Sequence, residues 1–263
     1  MFNLIRKTIY DKRAFIFGWG IGLAFMSFLM MIFYPSFHAD TGLDQLVNSL
    51  PPAFKGLVGN LANLKTLPGY IGSQLFDIRI PIFVSISSII LAVGLTVTEE
   101  EKGYLRTLSA LPISRVNILI GKWLSLTIVC LLVNIATLAG LYLGVMAVGE
   151  TLAIDVVLRL GLMTWLLSTC VTSIVFGMGI ATGSRGLTMG AGVVYIIGSF
   201  ILTTFAKSVD WLQPYEIMSI FHYFPAVDIA NGDISLYNII IMGGIIFTSV
   251  IIGILLFRRR DVR

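Results

Sequence analysis

Charge is scarce in this sequence: Asp, Glu, Lys and Arg make up 12% of its 263 residues, against 57% hydrophobic ones. Soluble domains carry about a quarter charged residues, so a water-solvated surface of ordinary composition is excluded. Cysteine occurs twice and histidine twice, with no CxxC spacing, which argues against a zinc or disulfide framework. Cys130 and Cys170 fall inside long apolar runs, where a thiol packs as a small apolar group. No HExxH, paired-Asp or Ser/His/Asp set stands within those runs. A phosphate-binding loop is missing as well. Gly121-Lys122 has Val116 where the first glycine of such a loop would stand and Trp123 where its Ser or Thr would hold magnesium. ATP-driven work therefore has to draw on another polypeptide.

What is present is apolar sequence in long runs, with a mean hydropathy of +0.92. About 18 uncharged residues suffice to cross roughly 30 Å of hydrocarbon as helix. Six runs reach that length: 14–34, 80–98, 123–148, 160–182, 186–206 and 237–257. None alternates with period two, so a membrane β-barrel is not expected. The first run is too long for a signal-peptide core and no small-x-small cleavage site follows it, so it is read as retained. The fold class expected is an all-α membrane protein with six transmembrane helices in one domain spanning 1–263.

The cations set an orientation. One side of the six spans receives Arg6, Lys7, Lys12, Arg13, Lys102, Arg106, Arg115, Lys122, Arg185, Arg258, Arg259, Arg260 and Arg263, thirteen of the eighteen basic residues. The other side keeps Lys55, Lys65, Arg79, Arg159 and Lys207 among nine carboxylates. The positive-inside rule then places both termini in the cytoplasm of a multi-pass plasma-membrane protein. The net charge of +4 is accounted for by this asymmetry and needs no nucleic acid.

Between the spans the sequence carries further pattern. Residues 2–13 fit an interfacial helix with Phe2, Ile5 and Ile9 in the headgroups, or equally a plain charged flank on the first span. The outer segment 35–79 repeats Leu43, Leu46, Val47, Leu50 as Phe54, Leu57, Val58, Leu61 after Pro51-Pro52, and predicts two short amphipathic helices. Asp155 and Arg159 stand at i, i+4 and can pair. Segment 207–236, with Trp211, Pro214, Tyr215, Tyr223 and Pro225, predicts a broken, aromatic element at the outer interface. No internal repeat is apparent, and the loops of the two halves do not match as an inverted-repeat carrier would require. No span contains Asp, Glu, Lys, Arg or His, which further disfavours a proton-coupled carrier.

The densest charge is in EEEKGYLRTLSALPISRVNILIGKW, Glu99 to Trp123, between the second and third spans. Tyr104, Leu105, Leu108 and Leu111 fall on one helical face, Pro112 interrupts, and Ser114 caps a helix running to Lys122-Trp123, a basic and aromatic interface anchor. On pattern alone this is either a cytoplasmic knob or an interfacial turn with snorkelling cations.

The stretch E-x-x-x-G-x-L-x-x-L-x-x-x-P-I-S-R followed by I-L-I-G-K, here Glu99, Gly103, Leu105, Leu108, Pro112, Ile113, Ser114, Arg115 and then 118–122, resembles the loop of ABC exporter permeases of the type-2 superfamily. The layout of the chain resembles that family too, including the drug and antibiotic exporter branches, whose GYI pattern is matched at 69–71. Tyr104 departs from the Gly-Thr common in the family. The resemblance implies a dimeric permease, a homodimer more readily than a heterodimer, bound to two cytoplasmic ABC ATPase subunits, with Mg-ATP held by those partners and no cofactor in this chain. It implies that 99–122 is a coupling helix entering a cleft on the ATPase. Glu99, Glu100, Glu101, Gly103, Tyr104, Leu105, Arg106, Leu108, Leu111, Pro112 and Arg115 would make that contact, with the glutamates meeting basic ATPase groups and the apolar face acting as anchor.

The resemblance further implies that the second and fifth spans line a pathway. Ser85, Ser88, Ala92 and Thr96 form a stripe on one span, and Thr188, Gly192, Tyr195 and Ser199 on the other. Such stripes serve as linings or as packing seams, since small residues let helices approach closely in lipid; the same holds for the GxxxG spacings Gly18/Gly22, Gly140/Gly144, Gly179/Gly183 and Gly186/Gly190. A weakly polar, uncharged path suits an amphipathic, drug-like or lipid-like substrate better than a small ion. The expected function is thus the permease subunit of an ATP-driven exporter; the rivals are a non-transporting assembly or signalling protein of the same fold, and a secondary carrier.

Overall fold

A computed structural model describes residues 2–38, 66–103, 114–206 and 209–258. All regular structure among these residues is helical: α1 (Phe2–Asp11), α2 (Arg13–Ile32), α3 (Tyr34–His38), α4 (Leu67–Tyr70) continuing as a π-helix (Ile71–Phe76), α5 (Arg79–Leu95), α6 (Val97–Glu101), α7 (Arg115–Ala147), α8 (Ile154–Thr182), α9 (Arg185–Ala206), two 3-10 segments (Asp210–Met218 and Ile220–Tyr223), α10 (Ala226–Asn231) and α11 (Leu236–Arg258). Six stretches are long and apolar enough to cross a membrane: Arg13–Ser36, Leu67–Glu101, Val116–Ala147, Ile154–Thr182, Arg185–Ala206 and Leu236–Arg258. Helices are the required form, because a backbone in lipid has to satisfy its own hydrogen bonds. The two amphipathic helices expected around Leu43–Leu61 lie outside the described residues.

The bundle has a centre and a periphery. The most apolar windows of the second and fourth spans are 72% and 78% buried within the chain, whereas those of the first, fifth and sixth are 22%, 22% and 17%. The largest helix contacts are α7 on α2 and α8 on α11, with α5 packed on α8 and α9. Two of these crossings depend on missing side chains. A Cβ on Gly140 would collide with the backbone of Ala24, and a Cβ on Gly177 would lie 2.5 Å from Ser249 O, with Gly253 opposite it. Of the spacings noted in the sequence, Gly140/Gly144 is thus a packing contact, whereas Gly18/Gly22 and Gly186/Gly190 face open space within this chain.

Polar bonds between helices supplement this packing. Ser88 Oγ donates to Ser168 O at 3.2 Å, Trp123 Nε1 to Ser173 Oγ at 2.8 Å, Asn134 Nδ2 to Gly161 O at 2.7 Å and Trp165 Nε1 to Thr127 O at 3.1 Å. Such bonds average about 0.6 kcal/mol each in membranes, so close packing of the apolar core carries more of the stability than they do.

The second span begins earlier than its uncharged run. Residues 67–76, part of the sequence-defined outer segment, form a buried helical entry to it, with Tyr70, Ile71, Leu75 and Phe76 at the core. Thr66 Oγ1 accepts from Gly69 N–H to cap the entry, and Tyr70 OH donates to Met30 O at 2.8 Å, tying the second span to the first. Arg79, which ends the uncharged run, bonds Gln74 O and reaches Gln74 Oε1 at 3.3 Å, so its charge is met locally. Asp155 and Arg159 pair at 2.9 Å, the carboxylate exposed and the arginine part-buried. At the same end, the segment before the sixth span is broken into 3-10 turns around Pro214, with Trp211 and Tyr215 exposed.

If the crossings are close-packed as described, Gly177→Leu lowers the stability of the purified chain by about 1–3 kcal/mol, the cost of overpacking. Gly18→Leu leaves it unchanged. Thermal melting of the two variants in detergent measures the difference.

Candidate functional site

The charged segment leaves the bundle at the end that also holds α1 and the start of α7. Helix α5 stops at Thr96, whose φ of −104° and ψ of −88° break the helix, and α6 continues in a new direction. Thr96 N–H and Oγ1 both donate to Ala92 O, at 3.1 and 2.7 Å, closing off the last turn of α5. Gly103 then ends α6 with a φ of 74°, a left-handed conformation that glycine adopts without penalty, and its N–H donates to Glu100 O. The described chain resumes at Ser114, whose Oγ accepts from Asn117 N–H at 3.2 Å to cap α7.

Lys122, two turns into α7, joins the two ends. Its side chain is 2% exposed; Nζ donates to Leu95 O at 3.1 Å and to Glu99 Oε2 at 2.6 Å. One ammonium thus satisfies a carbonyl left open where α5 breaks and neutralises a carboxylate at the start of α6. The sequence reading of Lys122 as an interface anchor is corrected here: burial beneath α5 and α6 removes it from headgroups and makes it a clasp.

The three glutamates separate. Glu99 is held by Lys122, Glu100 is 8% exposed, and Glu101 is exposed. Glu99 thus has an internal partner in Lys122 while its side chain stays part-exposed, and Glu101 presents an outward carboxylate. Gly103 stands at the root of the segment; Arg115 opens α7. Tyr104, Leu105, Arg106, Leu108, Leu111 and Pro112 lie outside the described residues.

The two small-residue stripes meet inside the chain. Ser85, Ser88, Thr96, Thr188 and Ser199 are all buried and Tyr195 is half-buried. Ser88 bonds α8, Ser199 O accepts from Ser219 Oγ at 2.8 Å, and Ser85 Oγ is buried with no hydrogen-bond partner among the described residues. Gly192 lies against Val175 and Ile89, bringing α5, α8 and α9 into one seam. At its basic end Thr96 and Thr188 lie over Gly179, where an added Cβ would sit 2.5 Å from Thr96 Oγ1 and 3.4 Å from Thr188 Cγ2. Thr96 is thus packed on α8, with Thr188 of α9 beside the same glycine.

No local pattern announces the clasp, because Glu99 and Lys122 are 23 residues apart. The one signal is the lysine itself, set among apolar residues in VNILIGKWLSL.

The comparison with known families bears on this arrangement. The family described as ABC-2 family transporter protein matches residues 2–262, nearly the whole chain. The chain belongs to the ABC-2 transporter family. Membership implies a permease component of an ABC transporter, a multi-pass membrane subunit associated with ABC ATPase subunits rather than an ATPase itself. No curated protein gives a significant match to the sequence. In this ABC-2 protein the resemblance seen in the 99–122 stretch thus extends over the chain, and the Glu99–Lys122 pair belongs to the described part of that stretch.

Removing one member of a buried ion pair costs about 3–5 kcal/mol because the other is left uncompensated. Lys122→Met accordingly destabilises the chain by about that amount, discounted for the partial exposure of Glu99. Adding Glu99→Gln restores at least half of the loss, as read from thermal midpoints of the single and double variants.

Proposed function

We propose that this chain is the membrane half of an ATP-driven exporter, working as a homodimer with two separate cytoplasmic ATPase subunits, with both termini on the ATPase side. The observation that carries the reading is the clasp. A surface segment that is to transmit force needs both roots fixed to the transmembrane helices, and Lys122 ties the start of α7 to the end of α5 and to α6.

In this mechanism the apolar face of Tyr104, Leu105, Leu108 and Leu111 docks in the ATPase cleft, and Glu101 offers its carboxylate to a basic partner group. Closure of the ATP-bound subunits moves the docked segment. The clasped roots follow as one body, and the motion passes through Thr96 to Gly179 and Thr188, so that α8 and α9 shift against α5. Access to a path between protomers changes as a result. The uncharged character of the spans supports an amphipathic or lipid-like substrate and speaks against a small ion, whose dehydration needs dense coordination. The abundance of cations at the terminal end supports a cytoplasmic location for it in the plasma membrane.

The variant Leu105→Asp with Leu108→Asp separates docking from insertion. The expected result is that the chain reaches the membrane in normal amount while co-purification of its ATPase, and ATP-dependent transport in vesicles, fall to background. Retained association and transport would contradict the coupling role.

A further inference from the structure

We propose that the cleft between α1 and the α5–α6 junction binds a phosphate-bearing anion, and that its source is the headgroup of an anionic phospholipid. The cleft has a volume of about 540 Å³, in the range of small-molecule sites. Lys7, Asp11 and Lys12 line it from the amino-terminal side, and Gly94, Glu99 and Lys102 from the other, with Lys122 behind.

The charge of this lining is unbalanced. Glu99 and Lys122 neutralise one another at 2.6 Å. Lys7, Lys12 and Lys102 then face the single carboxylate of Asp11, and none of the three makes an ion pair or side-chain hydrogen bond with another described residue. Lys12 is the most telling of them. Its side chain is half-buried and its Nζ lies 3.5 Å from the position a Cβ on Gly94 would take, so the ammonium lies over the bare backbone at the end of an apolar span. An ammonium held there calls for a counter-anion. Three ammonium groups around one concavity suit a phosphate, with its several acceptor oxygens, better than a lone carboxylate.

The depth and the surroundings favour lipid as the source. Gly94 belongs to the second span, close to its basic end, where headgroup phosphates reside. On the same face of α5, Phe83, Ile86 and Ile90 are exposed at 42%, 39% and 43%, a continuous apolar strip leading to Gly94. A lipid whose phosphate sits among the lysines can lay an acyl chain along that strip. The site stands independently of the coupling role: loss of ATPase docking leaves it intact, and its failure leaves docking intact.

The test uses the full-length chain in neutral detergent, exposed to an equimolar mixture of phosphatidylglycerol and phosphatidylcholine, with retained lipids counted by native mass spectrometry. The wild type is expected to retain phosphatidylglycerol preferentially. In Lys7→Gln/Lys12→Gln/Lys102→Gln the preference should fall by about a hundredfold, the combined effect of three lysines near a phosphate surface. Gly94→Leu, which fills the cleft without altering charge, should fall likewise. The triple Lys→Arg variant, a check that the fold tolerates substitution, and Arg185→Gln, an exposed cation outside the cleft, should both keep it. An unchanged preference in the triple Gln variant overturns the site, and an equal fall in Arg185→Gln reduces it to general surface charge. Binding of inorganic phosphate by a wild type that shows no preference for phosphatidylglycerol overturns the lipid source.

Discussion

Burying an ammonium among apolar helices is expensive, and among the described residues Lys122 is buried in this way. Lys122 is almost wholly withdrawn from solvent, yet its charge is met by Glu99 and by a backbone carbonyl that the break at Thr96 leaves without its helical partner. A buried pair of this kind is not an economical source of stability, since well-packed apolar residues often do as well. Its value lies in geometry. Leu95 O and Glu99 lie on either side of a change in helix direction, and a single ammonium fixes both relative to α7. Without that constraint the two roots of the charged segment would be joined only through residues 104–113 and through the general packing of the bundle.

The rest of the basic end is organised around the same break. Because α5 ends at Thr96, that residue can settle over Gly179 and beside Thr188 instead of continuing along the helix axis. The seam of Ser85, Ser88 and Gly192 then keeps α5, α8 and α9 in close register down to the middle of the bundle. Polar residues spaced along two spans thus act within one protomer as packing and alignment, the use that small side chains commonly have in lipid. By contrast, the outward face of α9 with Leu187, Val194 and Ile197 is left exposed by this chain.

The six spans were legible in the sequence because the cost of charge in hydrocarbon leaves long uncharged runs, and each run became a helix. Their ends were less so. Arg79 stopped the second run, but a side chain that bonds Gln74 O lets the helical course extend back to Leu67 through a π-helix, which IGSQLF does not advertise. The roots of the charged segment were legible in part: Gly103 as a turn and Ser114 as a cap follow from residue chemistry, as the Asp155–Arg159 pair follows from helical spacing. The Glu99–Lys122 pair was not, since only the fold brings residues 23 positions apart together. Lys122 read as a snorkelling anchor because a lysine beside Trp123 at a span boundary has that pattern, and its burial depends on α5 and α6 lying over it.

The central claim is that the two roots move as one body because Lys122 holds them. Spin labels at Lys102→Cys and Asn117→Cys, both exposed positions on either side of the clasp, placed in a chain with Cys130 and Cys170 replaced by Ala, report this directly by pulsed EPR in the complex with its ATPase. The account predicts a single narrow distance that is unchanged between the nucleotide-free and ATP-bound complex, and that broadens when Lys122→Met is added. A distance that changes on ATP binding with Lys122 in place, or one that stays narrow without it, would contradict the account.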